Sequence, residues 1–411
     1  MSILMKRGAG IGATLTIVLF TTLARSQSAE PETPWYEALR PSAFVDGYLG
    51  VNENFPKPAS GQNRYRAFDT TNGFALSWVG FDASLEPKPV GATLGLRFGP
   101  TATTHAGADA DAGLANVKQA FASWKPFESL ILDFGKFDTP YGAEVAESQL
   151  DFNYTRGALY WLAQPLFHTG LRATLGLADE VSLKALVVNG WNTSIDNNTG
   201  KTFGAQLTYA PMKELSLALG WIGGPEQPDH GDVECADDQV FDPSALRCVA
   251  SPGTAAASYP VDRGGANDPE SWKHLVDLVV FAYPTDDFSL FLNADYGTEG
   301  VRDATNAVTR ASFYGAALGL RYAFAEGWAV AGRAEYIGDP DAYLTGVSGG
   351  ALGTGTLTLE ARPTENLVLK LEQRSDVMLS ADGDDRVFPK KVRDQSSAQH
   401  TTTLGVVVKT N

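Results

Sequence analysis

Residues 128–191 read ESLILDFGKFDTPYGAEVAESQLDFNYTRGALYWLAQPLFHTGLRATLGLADEVSLKALVVNGW. The stretch holds a short alternating run (130–137), a polar and aromatic excursion (138–167), and two further alternating runs (168–177 and 181–189). Only Ala178-Asp179-Glu180 separates the last two. Successive side chains of a strand point to opposite faces, so one oily and one wet face give period 2. Leu171, Ala173 and Leu175 share one face, and Gly170, Arg172 and Thr174 the other. A tight turn at one end and a long loop at the other is the rhythm of a transmembrane β-barrel.

The rest of the chain repeats that rhythm. Sixteen such runs are expected between residues 42 and 409. Their connections alternate strictly between tight, Pro- and charge-rich turns and long segments at 52–71, 100–114, 138–167, 191–201, 224–271, 298–310, 338–350 and 377–397. Outer-membrane barrels carry even strand numbers, short periplasmic turns and long external loops. A soluble β-sandwich or propeller has no reason to sort its loops by length in this way. The expected fold is therefore all-β, a transmembrane antiparallel β-barrel of about 16 strands.

Strand faces agree with that reading. Trp328, Val330, Ala334 and Tyr336 oppose Arg333 and Glu335, and Leu367, Leu369 and Leu371 oppose Lys370, Glu372 and Arg374. Sixteen strands are too many for side chains to fill the bore, which leaves an aqueous channel for the charged face to line. Expected lining residues are Arg97, Asp133, Arg172, Lys184, Asp295, Arg333, Glu335, Lys370 and Glu372. Wall charges nearly balance, so the excess acid falls in the loops, above all 224–271. An acidic mouth gathers cations over about a Debye length, so a mild cation preference is expected. Loop 138–167, with Asp138, Glu144, Glu147, Asp151 and Arg156, is the expected constriction, its carboxylates facing basic wall residues such as Arg172 and Lys184.

The N-terminus, MSILMKRGAGIGATLTIVLFTTLARSQSAE, places Lys6 and Arg7 before an apolar segment and ends at Ala24-Arg25-Ser26. Residues 1–26 are read as a cleaved export signal, 27–41 as a short periplasmic lead-in, and 42–411 as the barrel. Beyond the signal no apolar run is long enough for a helical span. Losing Lys6, Arg7 and Arg25 takes the formal charge from −16 to −19, which argues against nucleic acid as a partner. Cys235 and Cys248 lie in one loop of an exported chain, where a disulfide is expected.

Glu144, Glu147 and Asp151 invite an acid–base reading, but nothing in the sequence fixes their separation. His168 has no orienting acid beside it, and the acidic segments 109–111 and 380–385 lack the spacing of a Ca²⁺ loop. No catalytic residue, cofactor or metal is expected.

The segments AFVDGYLGVN (43–52), VGATLGLRFGPTA (90–102), DFGKFDTPYGAEV (133–145), FNYTRGALYWLAQPLFHTGLRA (152–173) and VVNGWNTSIDNNTGKTFGAQLTYAP (187–211) resemble the OmpL-like, or type-2, beta-barrel porins of the bacterial outer membrane. The resemblance implies an outer-membrane barrel that conducts small solutes and has no established catalytic residues. The C-terminal VVVKTN (406–411) departs from the aromatic last residue common in such barrels, and the Cys235–Cys248 loop is a second departure. The function expected is passive diffusion of small hydrophilic solutes or ions. The alternative is an outer-membrane barrel enzyme or adhesin acting through its surface loops. Expected partners are membrane lipid, lipopolysaccharide and the solutes themselves; a homotrimer is admitted but not demanded.

Overall fold

The computed structural model describes residues 35–410 apart from 58–62, 227–238, 243–246, 251–258, 261–271, 303–307, 381–382, 384 and 392–393. Sixteen long strands follow in order: β1 Leu39–Asn52, β2 Gly73–Leu85, β3 Val90–Phe98, β4 Val117–Phe127, β5 Leu130–Asp138, β6 Phe167–Ala178, β7 Val181–Val188 and β8 Thr202–Met212. The second half runs β9 Leu215–Gly224, β10 Lys273–Thr285, β11 Phe288–Arg302, β12 Val308–Ala325, β13 Trp328–Asp339, β14 Gly350–Thr364, β15 Leu367–Ser380 and β16 Ala398–Lys409. Each pairs antiparallel with the next, and β16 returns to β1 from Phe44↔Lys409 to Asn52↔Thr401. The sheet is a closed 16-stranded barrel, so no long edge is left to aggregate.

All sixteen expected strands are present, with three adjustments. β1 starts at Leu39, inside the expected lead-in. Pro126 and Phe127, expected as a turn, end β4. β11 runs on to Arg302, so the 298–310 connection is mostly strand. Two short helices also appear where only loop was expected: α1 Pro100–Ala106 and α2 Ala158–Ala163. Cys235 and the export signal lie outside the described residues, and with Cys235 the expected Cys235–Cys248 bridge.

Burial shows which face is which. On β15, Lys370, Glu372, Arg374 and Asp376 are buried inside, while Leu371, Val377 and Leu379 are exposed outside. On β12 the outward face runs from Tyr314 through Leu318 and Leu320 to Tyr322 and Phe324. At about 3.4 Å per residue and a tilt of about 40°, the eight to ten residues between these aromatics span roughly 21–26 Å, matching the apolar band of an outer membrane. Charge faces the bore and grease faces lipid.

Inside the bore, the long-loop ends of several strands turn apolar on both faces. Ile222, Leu275, Phe313, Ile337, Leu352 and Met378 point inward and are buried with Leu159 of α2. Phe137, Leu186 and Val188 form a smaller inner cluster. Apolar inner walls are stable only where protein covers them. Much of that cover is the segment between β5 and β6.

Candidate functional site

Residues 139–166 leave β5 and cross the bore rather than standing above it. Pro140 O accepts from Gln206 Nε2 on β8, and the Tyr141 hydroxyl donates to Trp221 O on β9 at 2.9 Å. The Tyr141 ring lies directly over Gly220, where an added Cβ would sit 2.6 Å from the ring, so the wall must be bare there. Gly142 N donates to Asp277 on β10 (3.2 Å) and Ala143 N to Asn293 on β11 (3.1 Å). Across the barrel, Ser148 Oγ and the Tyr154 hydroxyl both donate to Asp46 on β1, at 2.7 and 2.8 Å. Tyr154 rests on Gly405 of β16, which could not carry a Cβ without a clash.

Charged groups fasten the segment. Glu144 pairs with Arg333 on β13 (2.6 Å), and Glu147 with Arg97 on β3 (2.8 Å) and Lys118 on β4 (3.1 Å). Lys370 on β15 donates to three loop carbonyls: Ser148 at 2.7 Å, Asp151 at 2.6 Å and Asn153 at 3.3 Å. It does for the loop what a bound cation does in an oxygen cage. Glu372 accepts from Tyr154 N (2.7 Å), Glu335 from Leu159 N (3.1 Å), and Asp295 from Gln164 Nε2 (2.7 Å). Arg374 Nη1 donates to Arg156 O at 2.6 Å. These loop groups, which would otherwise be buried without partners, are thus matched to the inward face of the wall.

The three loop carboxylates sit in different fields. Burial alone would raise Glu147, but the ammonium of Lys118 and the guanidinium of Arg97 outweigh it and hold the carboxyl down to about 2. Asp151 is pushed up to about 8, first by burial and then by the neighbouring charge of Glu144, against Arg156 and Lys370. Burial also raises Glu144, more than Arg333 lowers it. At neutral pH Glu147 is a fixed anion, whereas Asp151 is poised to titrate.

The structure brings Glu144, Glu147, Asp151, Arg156, Arg97, Arg333, Glu335, Lys370 and Glu372 together around this segment. Two expected partners are different. The loop acids do not face Arg172 or Lys184. Arg172 pairs with Asp133 on its own wall at 2.9 Å and lies 4.4 Å from the centroid of Phe137. Lys184 donates to Gln206 at 3.2 Å. Asp138 closes β5 rather than opening the loop, and its carboxylate meets Lys118 at 2.5 Å. Sequence reasoning missed Lys118 and Lys136. Lys136 is held by Asp109 of the β3–β4 connection at 2.6 Å. His168 is fixed between Gly190 O and Thr139 Oγ1 with no acid beside it.

Among solved structures, the chain is similar to the outer membrane channel DcaP of Acinetobacter baumannii, with a TM-score of 0.58 and 11% identity over 90% of this chain and 97% of that one. It is similar to the anion-selective porin from Comamonas acidovorans (0.54, 11% identity, 90% and 99% covered). The trimer form of OmpT from Vibrio cholerae gives 0.54 at 14% identity, with 90% and 99% covered. Identities this low establish the fold alone. A comparison with curated protein sequences gives no match. Residues 38–409 match the family described as "Putative beta-barrel porin-2, OmpL-like". With nearly the whole chain inside that match, a closed charged-bore barrel and porin folds as its structural likenesses, the protein belongs to this family and is a porin of the outer membrane.

Proposed function

We propose that the 139–166 segment is the constriction of this porin and that solutes pass beside it by passive diffusion, with a mild preference for cations. The observation that carries the reading is the reach of one loop from β8 and β9 to β1 and β16, bonded to charged wall residues on the way. Glu144 and Glu147, the residues most open to an enzymatic reading, are committed to ion pairs, which favours a channel over surface-loop chemistry.

The selectivity has a pH signature. Asp151 and, at the β9 end of the mouth, Glu226 are both raised to about 8, in each case mainly by burial. Below that range they are neutral and above it anionic. Cation preference, read as reversal potential in a salt gradient across planar bilayers, is therefore expected to strengthen as pH rises from 6 to 9. Asp151→Asn should remove part of that change. Anion preference throughout, or a flat profile, would overturn the reading.

We also infer a homotrimer that meets along the outer face of β14, β15, β16 and β1. Neighbouring β11–β13 carry outward Tyr296, Tyr314 and Tyr336, but these four strands present no exposed aromatic. They present Gly353, Gly355, Gln373, Ser375, His400 and Thr402 instead. Gln373 Nε2 donates to the exposed Glu53 at 3.0 Å, Gln373 Oε1 accepts from Thr402 Oγ1 at 2.5 Å, and Ser375 meets His400 at 2.9 Å. Leu371 lies on one side of this polar patch and Val377 and Leu379 on the other. A charged and amide network within the apolar band is costly against acyl chains and ordinary against protein. Gly355 has open space where a side chain would project. Gly355→Trp should leave the barrel folded and convert trimer to monomer in detergent, measured by sedimentation; an unchanged trimer would exclude this face.

Residues 1–26 are proposed to be removed on export, which N-terminal sequencing of the membrane-extracted protein tests. The Cys235–Cys248 bridge is proposed on compartment alone, and thiol titration under denaturing conditions tests it.

A further inference from the structure

The constriction leaves one file of side chains that a polar bore does not explain. Phe152 of the loop contacts Phe291 on β11 with ring centroids 5.5 Å apart. Phe291 contacts Phe281 on β10 at 6.1 Å. Phe281 stacks on Tyr283 at 6.5 Å with the rings only 4° from parallel. The first two rings suffice to dock the loop, and Phe291 is buried doing so. The file then continues towards the short-turn rim, where Phe281 is half-buried and Tyr283 is 41% exposed. The wall is shaped for it: a Cβ on Gly319 would fall 2.1 Å from the Phe291 ring, so only glycine lets that ring lie flat over β12. Barrel lumens are polar, and apolar rings left in water mark a surface that something else covers.

Polar groups border the file. Phe281 is opposite Ser216 of β9, and Ser289, two positions from Phe291, is opposite Arg321 of β12. Arg321 is bridged to Glu360 at 2.6 Å, and Glu360 to Arg362 at 3.0 Å. Aromatic faces in the middle with hydroxyls, guanidinium and carboxylate at the margin match a ring that is apolar on its faces and hydroxylated round its edge. We propose that Phe281 and Tyr283, backed by the buried Phe291, form a binding track for pyranose sugars on the periplasmic side of the constriction. This rests on the porin reading, because a solute reaches the file only through an aqueous bore. Stacking retains the sugar while it waits to pass or leave, and the polar margin exchanges hydrogen bonds with its hydroxyls. A planar aromatic solute would use the faces and leave the margin unmatched, which is why the sugar is favoured.

The test is ion-current interruption in the whole porin reconstituted in planar bilayers, with maltotriose as ring probe, mannitol as an equally hydroxylated open-chain control, and salicylate as the aromatic probe. Maltotriose should reduce current saturably, and mannitol should act only through viscosity. Phe281→Ser and Tyr283→Ser, both at partly exposed positions, should each raise the half-blocking maltotriose concentration about tenfold, the effect of one lost aromatic contact. Arg321→Gln, which keeps the track's rings, should raise it by a smaller factor. Normal salt current without sugar block, or block unaltered in the serine variants, overturns the track and leaves the porin reading standing. Block by salicylate but not maltotriose overturns the sugar assignment. Absence of any salt current overturns both.

Discussion

Deleting residues 140–160 is expected to raise single-channel conductance about threefold or more, because conductance follows open cross-section and sixteen strands leave a wide aqueous bore once nothing lies across it. The deleted segment contains the loop groups that reach β1, β3, β9, β10 and β13, among them Ser148 and Tyr154, Glu147, Tyr141, Gly142 and Glu144. The barrel has no need of it for closure. Asp138 and Phe167 are direct partners across β5 and β6, so Thr139 joined to 161–166 remains ample to connect them. Wall groups that lose loop partners, such as Lys370 and Arg374, gain water instead of being stranded in a dry interior. The apolar inner cluster pays part of the cost, since Ile337 and Phe313 lose Leu159. Heat-modified gel migration should therefore still show a folded barrel, melting at lower temperature than the parent. A folded variant with parental conductance would mean that the current runs somewhere the loop does not reach, and the constriction would have to be sought among the outer loops.

How much of this was legible in the chain depends on whether the strand ladder is regular. Where it is, parity alone placed Arg333, Glu335, Lys370, Glu372 and Arg374 on one face, and all five are buried. Where it is not, parity failed. Lys118 sits at a register shift between β3 and β4, next to the Gly95/Leu96 irregularity. Lys136 follows Gly135, whose φ of 136° only glycine adopts readily, and Lys136 and Phe137 are both buried as a result. One extra residue turns all that follow to the other face, so Lys118, skipped at its bulge, escapes a reading by alternation. The filled bore left a different trace. The pairs Leu186-Val187, Trp221-Ile222 and Tyr336-Ile337 break alternation at the long-loop ends of their strands, and a wall wet on one face has no use for such runs. Those pairs mark where loops pack inside. Which loop charge meets which wall charge was not legible, because it depends on how a 28-residue excursion folds across an open space, and short-range periodicity carries no information about that.

Replacing Arg333 by alanine is expected to be the most destabilising single change in the bore, costing about 3–5 kcal/mol, the range for breaking a buried ion pair from one side. The guanidinium is wholly buried and makes bonds in four directions: to Glu144 at 2.6 Å, Glu335 at 3.1 Å, Thr155 O at 2.6 Å and Thr356 Oγ1 at 3.3 Å. Two carboxylates and a carbonyl then face one another with no cation between them. Lysine should rescue only in part, because a point charge cannot serve two carboxylates on opposite sides as a planar fork does. The partner test is sharper. Glu144→Gln removes one of the stranded charges, so Arg333→Ala combined with Glu144→Gln should cost less than the two single changes summed, with a coupling of about 1–3 kcal/mol in urea unfolding from lipid vesicles. Because Glu144 belongs to the loop and Arg333 to the wall, the same pair should govern gating noise: the single alanine variant should flicker between conductance levels as the loop loosens. Additive losses together with a quiet channel would show that this ion pair neither holds the loop nor narrows the pore, and the arrangement of charge described for the bore would lose its mechanical meaning.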